Sequence, residues 1–170
     1  MTRRIILGIS AATTVGLMFQ GELSVAQKAL KEQLVGTWLV ATADNIRPDG
    51  SRFQSLGPNP KGIMMFDGNG WFSFQLAQPG RPKFASDNRL QGTAEENKAT
   101  VQGSLSYYGK YSIDEADRVL HLYIESSSWP NFDGIDNKRI ITSLSDDELK
   151  WYSPAGSIGT TVEVVWKRAK

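Results

Sequence analysis

From Gly36 to the C-terminus the apolar positions recur mostly every second residue, in short runs separated by turn-forming residues. The run from Gly36 to Ala43 is β-branched and apolar and stops at Asn45, Pro48, Asp49 and Gly50. Gly62–Phe66 and Trp71–Leu76 flank Asp67-Gly68-Asn69-Gly70, whose Gly and Asn residues supply the positive φ that a tight hairpin turn requires. The same tetrapeptide lacks the acidic ligands of an EF-hand loop, so it reads as a turn and not as a calcium site. Five further strands are predicted at roughly 104–113, 118–127, 135–144, 148–153 and 159–168. Eight short strands, nearly all in hairpin relation, point to an antiparallel up-and-down barrel or a sandwich.

Two stretches depart from this period. Gln27–Gln33 is polar, with Leu30 and Leu34 four residues apart, and predicts one or two helical turns leading into the first strand. Residues 77–103 open with Pro79, Gly80, Arg81 and Pro82, and then carry Thr93-Ala94-Glu95-Glu96, the pattern of a capping box on a short helix running to about Gln102. An interruption of that length between two strands suits a lid.

The first residues follow another logic. Arg3 and Arg4 precede an uncharged run from Ile5 to Gly21, and Ser24-Val25-Ala26 places small residues at the first and third positions of a cleavage triplet. That order predicts a secretory signal removed after Ala26, leaving residues 27–170 as one domain, exported to the periplasm or beyond the cell. Arg3-Arg4 fits both an ordinary basic n-region and a twin-arginine signal. As a retained anchor the run is short and weakly apolar, and no stable membrane insertion is expected after cleavage. Loss of residues 1–26 removes Arg3, Arg4 and Glu22 and leaves basic and acidic residues balanced, which gives no electrostatic reason for nucleic acid binding. The chain has no cysteine, which excludes a lipid-modified cysteine anchor, disulfides and thiolate metal sites. With a single histidine as well, no metal site and no cofactor are expected. Nucleophile-elbow, phosphate-loop and dinucleotide motifs are missing.

Alternation sorts the side chains that would line a barrel. On 118–126 one face carries Leu120, Leu122 and Ile124, the other Val119, His121, Tyr123 and Glu125. On 135–141 Ile135, Asn137, Arg139 and Ile141 oppose Asp136, Lys138 and Ile140, and Tyr107, Gly109 and Tyr111 share a face. Alternation alone does not say which face points inward. Aromatics near a barrel mouth suit an apolar or aromatic ligand, which makes Trp129, Phe132 and Trp151 candidate contacts.

Gly36-Thr37-Trp38 on the first strand and Val165-Trp166-Lys167-Arg168 on the last resemble the calycin pattern of lipocalins and fatty-acid-binding proteins. That resemblance implies that the Arg168 guanidinium covers Trp38 and closes the barrel floor. The chain also resembles the bacterial and fungal lipocalin-like domain family through Leu34–Trp38, Gly57–Gly62, Tyr108–Tyr111, His121–Ser126 and Trp129–Gly134 leading to Arg139. It implies an eight-stranded antiparallel lipocalin-like barrel with a short N-terminal helix, enclosing a pocket. It also favours a polar interior cluster of Tyr111, His121, Tyr123, Glu125 and Arg139, with Glu125 and Arg139 neutralising one another. The ligand-binding set expected is Tyr107, Tyr111, His121, Tyr123, Trp129, Phe132, Arg139 and Trp151.

The function expected is that of a binding protein for a small hydrophobic or aromatic molecule. One alternative is an isomerase or cyclase on the same barrel, using His121 as acid or base with Tyr111 or Glu125. Another is a protein-interaction or inhibitor module acting through the Trp129 loop.

Overall fold

A computed structural model describes residues 29–170. The expected signal segment lies outside the described residues. The strands are β1 (Gly36–Ile46), β2 (Arg52–Phe53), β3 (Lys61–Phe66), β4 (Trp71–Ala77), β5 (Ser104–Asp114), β6 (Val119–Ser127), β7 (Asp136–Leu144), β8 (Glu148–Ser153) and β9 (Thr161–Arg168). They form a single antiparallel sheet in which β1 pairs with both β3 and β9, so eight strands close into a barrel. The two-residue β2 hangs on the end of β1 through Asn45↔Phe53 and Ile46↔Arg52. All eight strands expected from the alternation are present; β2 is too short to leave a periodic signal.

Closure demands curvature, and irregularities in register supply it at Val40/Thr42, Tyr108/Gly109 and Ile141/Ser143. At the second of these only glycine fits, because a Cβ on Gly109 would lie 2.0 Å from the Tyr123 carbonyl oxygen. The β3–β4 hairpin turns as its sequence predicts, with Trp71 N–H donating to Asp67 Oδ1 (2.7 Å) and Gly70 at φ +89°.

The barrel has a closed and an open end. At the closed end lies α1 (Leu30–Leu34), the short helix expected before the first strand. Leu34 is fully buried, and the Glu115 carboxylate from the β5–β6 turn accepts from the N–H groups of Leu30 (3.0 Å) and Lys31 (3.2 Å), satisfying free donors at the start of the helix. Trp38 is fully buried beside it, its Nε1–H donating to Leu34 O (2.8 Å). The Arg168 guanidinium lies 4.0 Å from the Trp38 ring centroid. It donates to the carbonyls of Val35 (2.9 Å), Gln33 (2.6 Å) and, through Nε, Asp146. Gly36 completes this floor: its φ is +130°, and a Cβ there would come within 2.7 Å of Arg168 Nη1.

At the open end stand the β1–β3, β4–β5, β6–β7 and β8–β9 connections. The β4–β5 connection contains α2 (Ala94–Gln102), started by the expected capping box: Thr93 Oγ1 accepts from Glu96 N–H, and the Glu96 carboxylate accepts from Thr93 N–H. The other Glu96 oxygen accepts from Ala85 N–H (2.9 Å), so one carboxylate ties the loop to the helix. These two backbone donors hold its carboxyl below the ordinary value. No residue of α2 is buried. It rests on its caps and on contacts at its ends, such as Ser104 Oγ–H to Thr100 O (2.6 Å).

Candidate functional site: a cavity open at one end of the barrel

Inside the open half of the barrel is a cavity of about 430 Å³. Its walls come from the inward positions of the strands: Ala43 and Asn45 of β1, Phe74 and Leu76 of β4, Leu105 and Tyr107 of β5, Arg139 of β7, Trp151 and Ser153 of β8, Val162 and Val164 of β9. The loops complete it with Leu56, Ser128, Trp129, Phe132, Ile158 and the last residues of α2, Thr100 to Gln102. Its size suits one small molecule, and its lining is dominated by apolar and aromatic side chains.

The aromatic lining is held rigidly. Tyr107 stacks on Phe74 with centroids 4.3 Å apart and planes 15° from parallel, and meets Phe132 edge-on at 5.8 Å. Trp129 meets Phe132 edge-on at 4.7 Å, and the Pro130–Phe132 3₁₀ turn tucks Phe132 into the barrel. Trp151 packs against Trp166 one layer deeper, at 5.5 Å.

Among the polar side chains in this mainly apolar wall, Arg139 carries the charge. Arg139 is only 7% exposed, and no carboxylate of the described residues forms an ion pair with it. Its Nη1, with two protons shared among three acceptors, donates to Asn137 Oδ1, Ser153 Oγ (2.8 Å) and Lys138 O (3.0 Å), and its Nη2 donates to Tyr107 Oη (3.0 Å). All four acceptors are neutral. A guanidinium kept from water without a counter-charge costs several kcal/mol even after hydrogen bonding. Burial raises the Tyr107 phenol above its ordinary 10.0, against the opposing pull of the adjacent Arg139 charge.

The structure separates the expected interior cluster. Leu120, Leu122 and Ile124 are the buried face of β6, so His121, Tyr123 and Glu125 lie on the outer face, with Tyr123 45% exposed. Three large apolar side chains fill the interior there, and burying the polar face instead would leave them in water. His121 Nδ1 lies 2.7 Å from Asp136 Oδ2, its ring stacked on Tyr123. Glu125 is accordingly not the counter-charge of Arg139. Tyr111 is buried but at the closed end, its hydroxyl donating to Asp67 O (2.7 Å) and its ring edge-on to Phe66. Tyr107, Trp129, Phe132, Arg139 and Trp151 line the cavity together. The sequence reading passed over Phe74, Leu76, Ser153, Ile158 and Val164. Phe74, Leu76 and Val164 follow from alternation once the inward face is known, whereas Ser153 and Ile158 carry no local signal.

Among the described residues no group of three or more His, Cys, Asp or Glu side chains could hold a metal ion, and no helix is long and apolar enough to cross a membrane.

The chain is 30% identical over 81 residues to the 4'-hydroxy-3'-methoxypropiophenone carrier protein of Aspergillus oryzae, a match covering 44% of this chain and 72% of that protein. Among solved structures, a lipocalin-like protein from Bacteroides uniformis aligns with a TM-score of 0.45 and 12% identity, over 81% of this chain and 99% of that one. A deswapped triple mutant of bovine odorant binding protein aligns with a TM-score of 0.39 and 16% identity, over 81% and 74%. The lipocalin-like domain family matches residues 35–169, the whole of the barrel, and the chain belongs to that family.

Proposed function

We propose that this protein is an exported carrier that holds one small, mainly apolar, aromatic molecule in the barrel cavity. The observation that carries the reading is the 430 Å³ space lined by Phe74, Tyr107, Trp129, Phe132 and Trp151, shut at one end by the Trp38–Arg168 floor and open at the other. A barrel built only for stability would fill that space with side chains, because an unfilled cavity loses about 24 cal/mol for every Å³. The carrier activity named for the Aspergillus oryzae relative is in keeping with such a use. Export rests on the Arg3-Arg4, Ile5–Gly21 and Ser24-Val25-Ala26 pattern of the N-terminus.

The enzyme alternative loses its expected acid–base group, since His121 faces away from the cavity on the outer surface. A molecule in the barrel does not reach it.

Calorimetric titration with 2-acetylnaphthalene, a neutral aryl ketone, tests the reading. Wild-type protein binds one equivalent, and Val164→Trp, which places an indole in the cavity, weakens binding at least 10-fold while the fold survives by circular dichroism. Equal affinity in the two proteins would move the binding site elsewhere and overturn the proposal.

A further inference from the structure

The polar groups around Arg139 are unbalanced in a way that bears on the ligand's chemistry. Each hydrogen-bond acceptor around Arg139 is already engaged: Asn137 Oδ1, Ser153 Oγ, Lys138 O and Tyr107 Oη all accept from the guanidinium. Ser153 in turn donates its own proton to Ala155 O (3.2 Å). The groups left over are all donors. Asn137 Nδ2 is buried with no partner. Reversing the Asn137 amide would not help, since it would set an NH2 group against the guanidinium. The Tyr107 hydroxyl proton and the Nε–H of Arg139 have no acceptor among the described residues. At the cavity wall the positive charge of Arg139 thus meets two unengaged donors, its own Nε–H and the Tyr107 hydroxyl, with Asn137 Nδ2 buried beside them.

Such a place fits an oxygen-rich anion. A neutral carbonyl would satisfy one donor and leave the charge uncompensated, whereas a carboxylate accepts several donors and neutralises the guanidinium in the same contact. The rest of the lining is mainly apolar, with Phe74 stacked on Tyr107 and Trp151 packed on Trp166, and its other polar side chains, such as Asn45 and Ser128, are neutral.

We propose that the ligand is an aromatic acid, its carboxylate bound to Arg139 and the hydroxyl of Tyr107 and its rings enclosed by Phe74, Trp129 and Trp151. The proposal rests on the cavity being the binding site. Arg139 is then a specificity determinant that selects acids from neutral molecules of the same shape. The aromatic walls supply most of the contact area, and the arginine selects the charged group.

The test compares 2-naphthoate with 2-naphthamide, nearly equal in shape but differing in charge, by tryptophan fluorescence titration at pH 7. Wild-type protein binds the acid at least 10-fold more tightly than the amide, and Arg139→Met brings the two within about two-fold of each other by lowering affinity for the acid alone. Should Arg139→Met fail to fold, Arg139→Gln, which keeps neutral donors, must lose the preference in the same way. Equal binding of both probes by the wild type, or a preference that survives removal of the arginine, would overturn the aromatic-acid proposal and leave the carrier reading standing. Binding of neither probe, and no binding of 2-acetylnaphthalene, would remove the carrier reading and this proposal with it.

Discussion

Single residues divide into those that hold the barrel shut and those that face its contents. Arg168 belongs to the first group, through its stacking on Trp38 and its bonds to three carbonyls. Arg168→Ala is expected to cost about 2 kcal/mol or more, a fall of roughly 6 °C in melting temperature, by scanning calorimetry. Ligand affinity should stay within two-fold, because the floor lies at the far end from the cavity; a large affinity loss without a stability loss would contradict that division. His121→Ala should likewise leave affinity for 2-acetylnaphthalene unchanged in titration, since the ring lies outside with Asp136. Single residues are also where the sequence is least legible. Alternation separates Leu120, Leu122 and Ile124 from His121, Tyr123 and Glu125 without saying which set is inside, and the structure buries the apolar set, opposite to what the family resemblance favours. Arg139 and Tyr107 were legible as cavity residues; their partner Ser153 was not, because a lone serine at a strand end has no distinguishing neighbours.

At the scale of elements, the strands follow from the period-two pattern and their turns, and α2 follows from Thr93 and Glu96. What the pattern could not give was β2, which has two residues, or the placing of α2 against the mouth, which depends on how the sheet coils. Because α2 buries no residue, its persistence depends on its cap more than on packing. Thr93→Ala should weaken the helix by about 1 kcal/mol and so speed amide exchange over Ala94–Gln102 roughly five-fold, with barrel amides unchanged. Thr100, Val101 and Gln102 line the mouth, so the same variant should release a bound aromatic ligand faster in stopped-flow fluorescence. Unchanged release with faster exchange would mean that α2 does not gate the cavity.

The whole molecule is a closed sheet whose stability should respond to pH at two limits. Glu148 accepts from Lys167 (2.6 Å) and pairs with Lys150 (2.9 Å), which lowers its carboxyl below 4.5. A lowered folded-state value gives stability that is present above 4.5 and is lost as pH falls through the lower, folded value. Tyr107 works in the other direction: burial raises it above 10.0, so its contribution is full below 10.0 and is lost as pH climbs towards its raised folded value. Melting curves across pH should show both limbs, the acid one shallower in Glu148→Gln and the alkaline one shallower in Tyr107→Phe. The central claim, however, is where a ligand sits, and the five tryptophans offer five separate reporters of that. Trp129 and Trp151 line the cavity, Trp38 lies in the floor, and Trp71 is on the outer face under Lys110. The most direct measurement is therefore an NMR titration with 2-acetylnaphthalene that follows the indole N–H resonances. Large shifts at Trp129 and Trp151, with Trp38 and Trp71 still, are the predicted result; shifts confined to Trp71, or none at any indole, would contradict a ligand held inside the barrel.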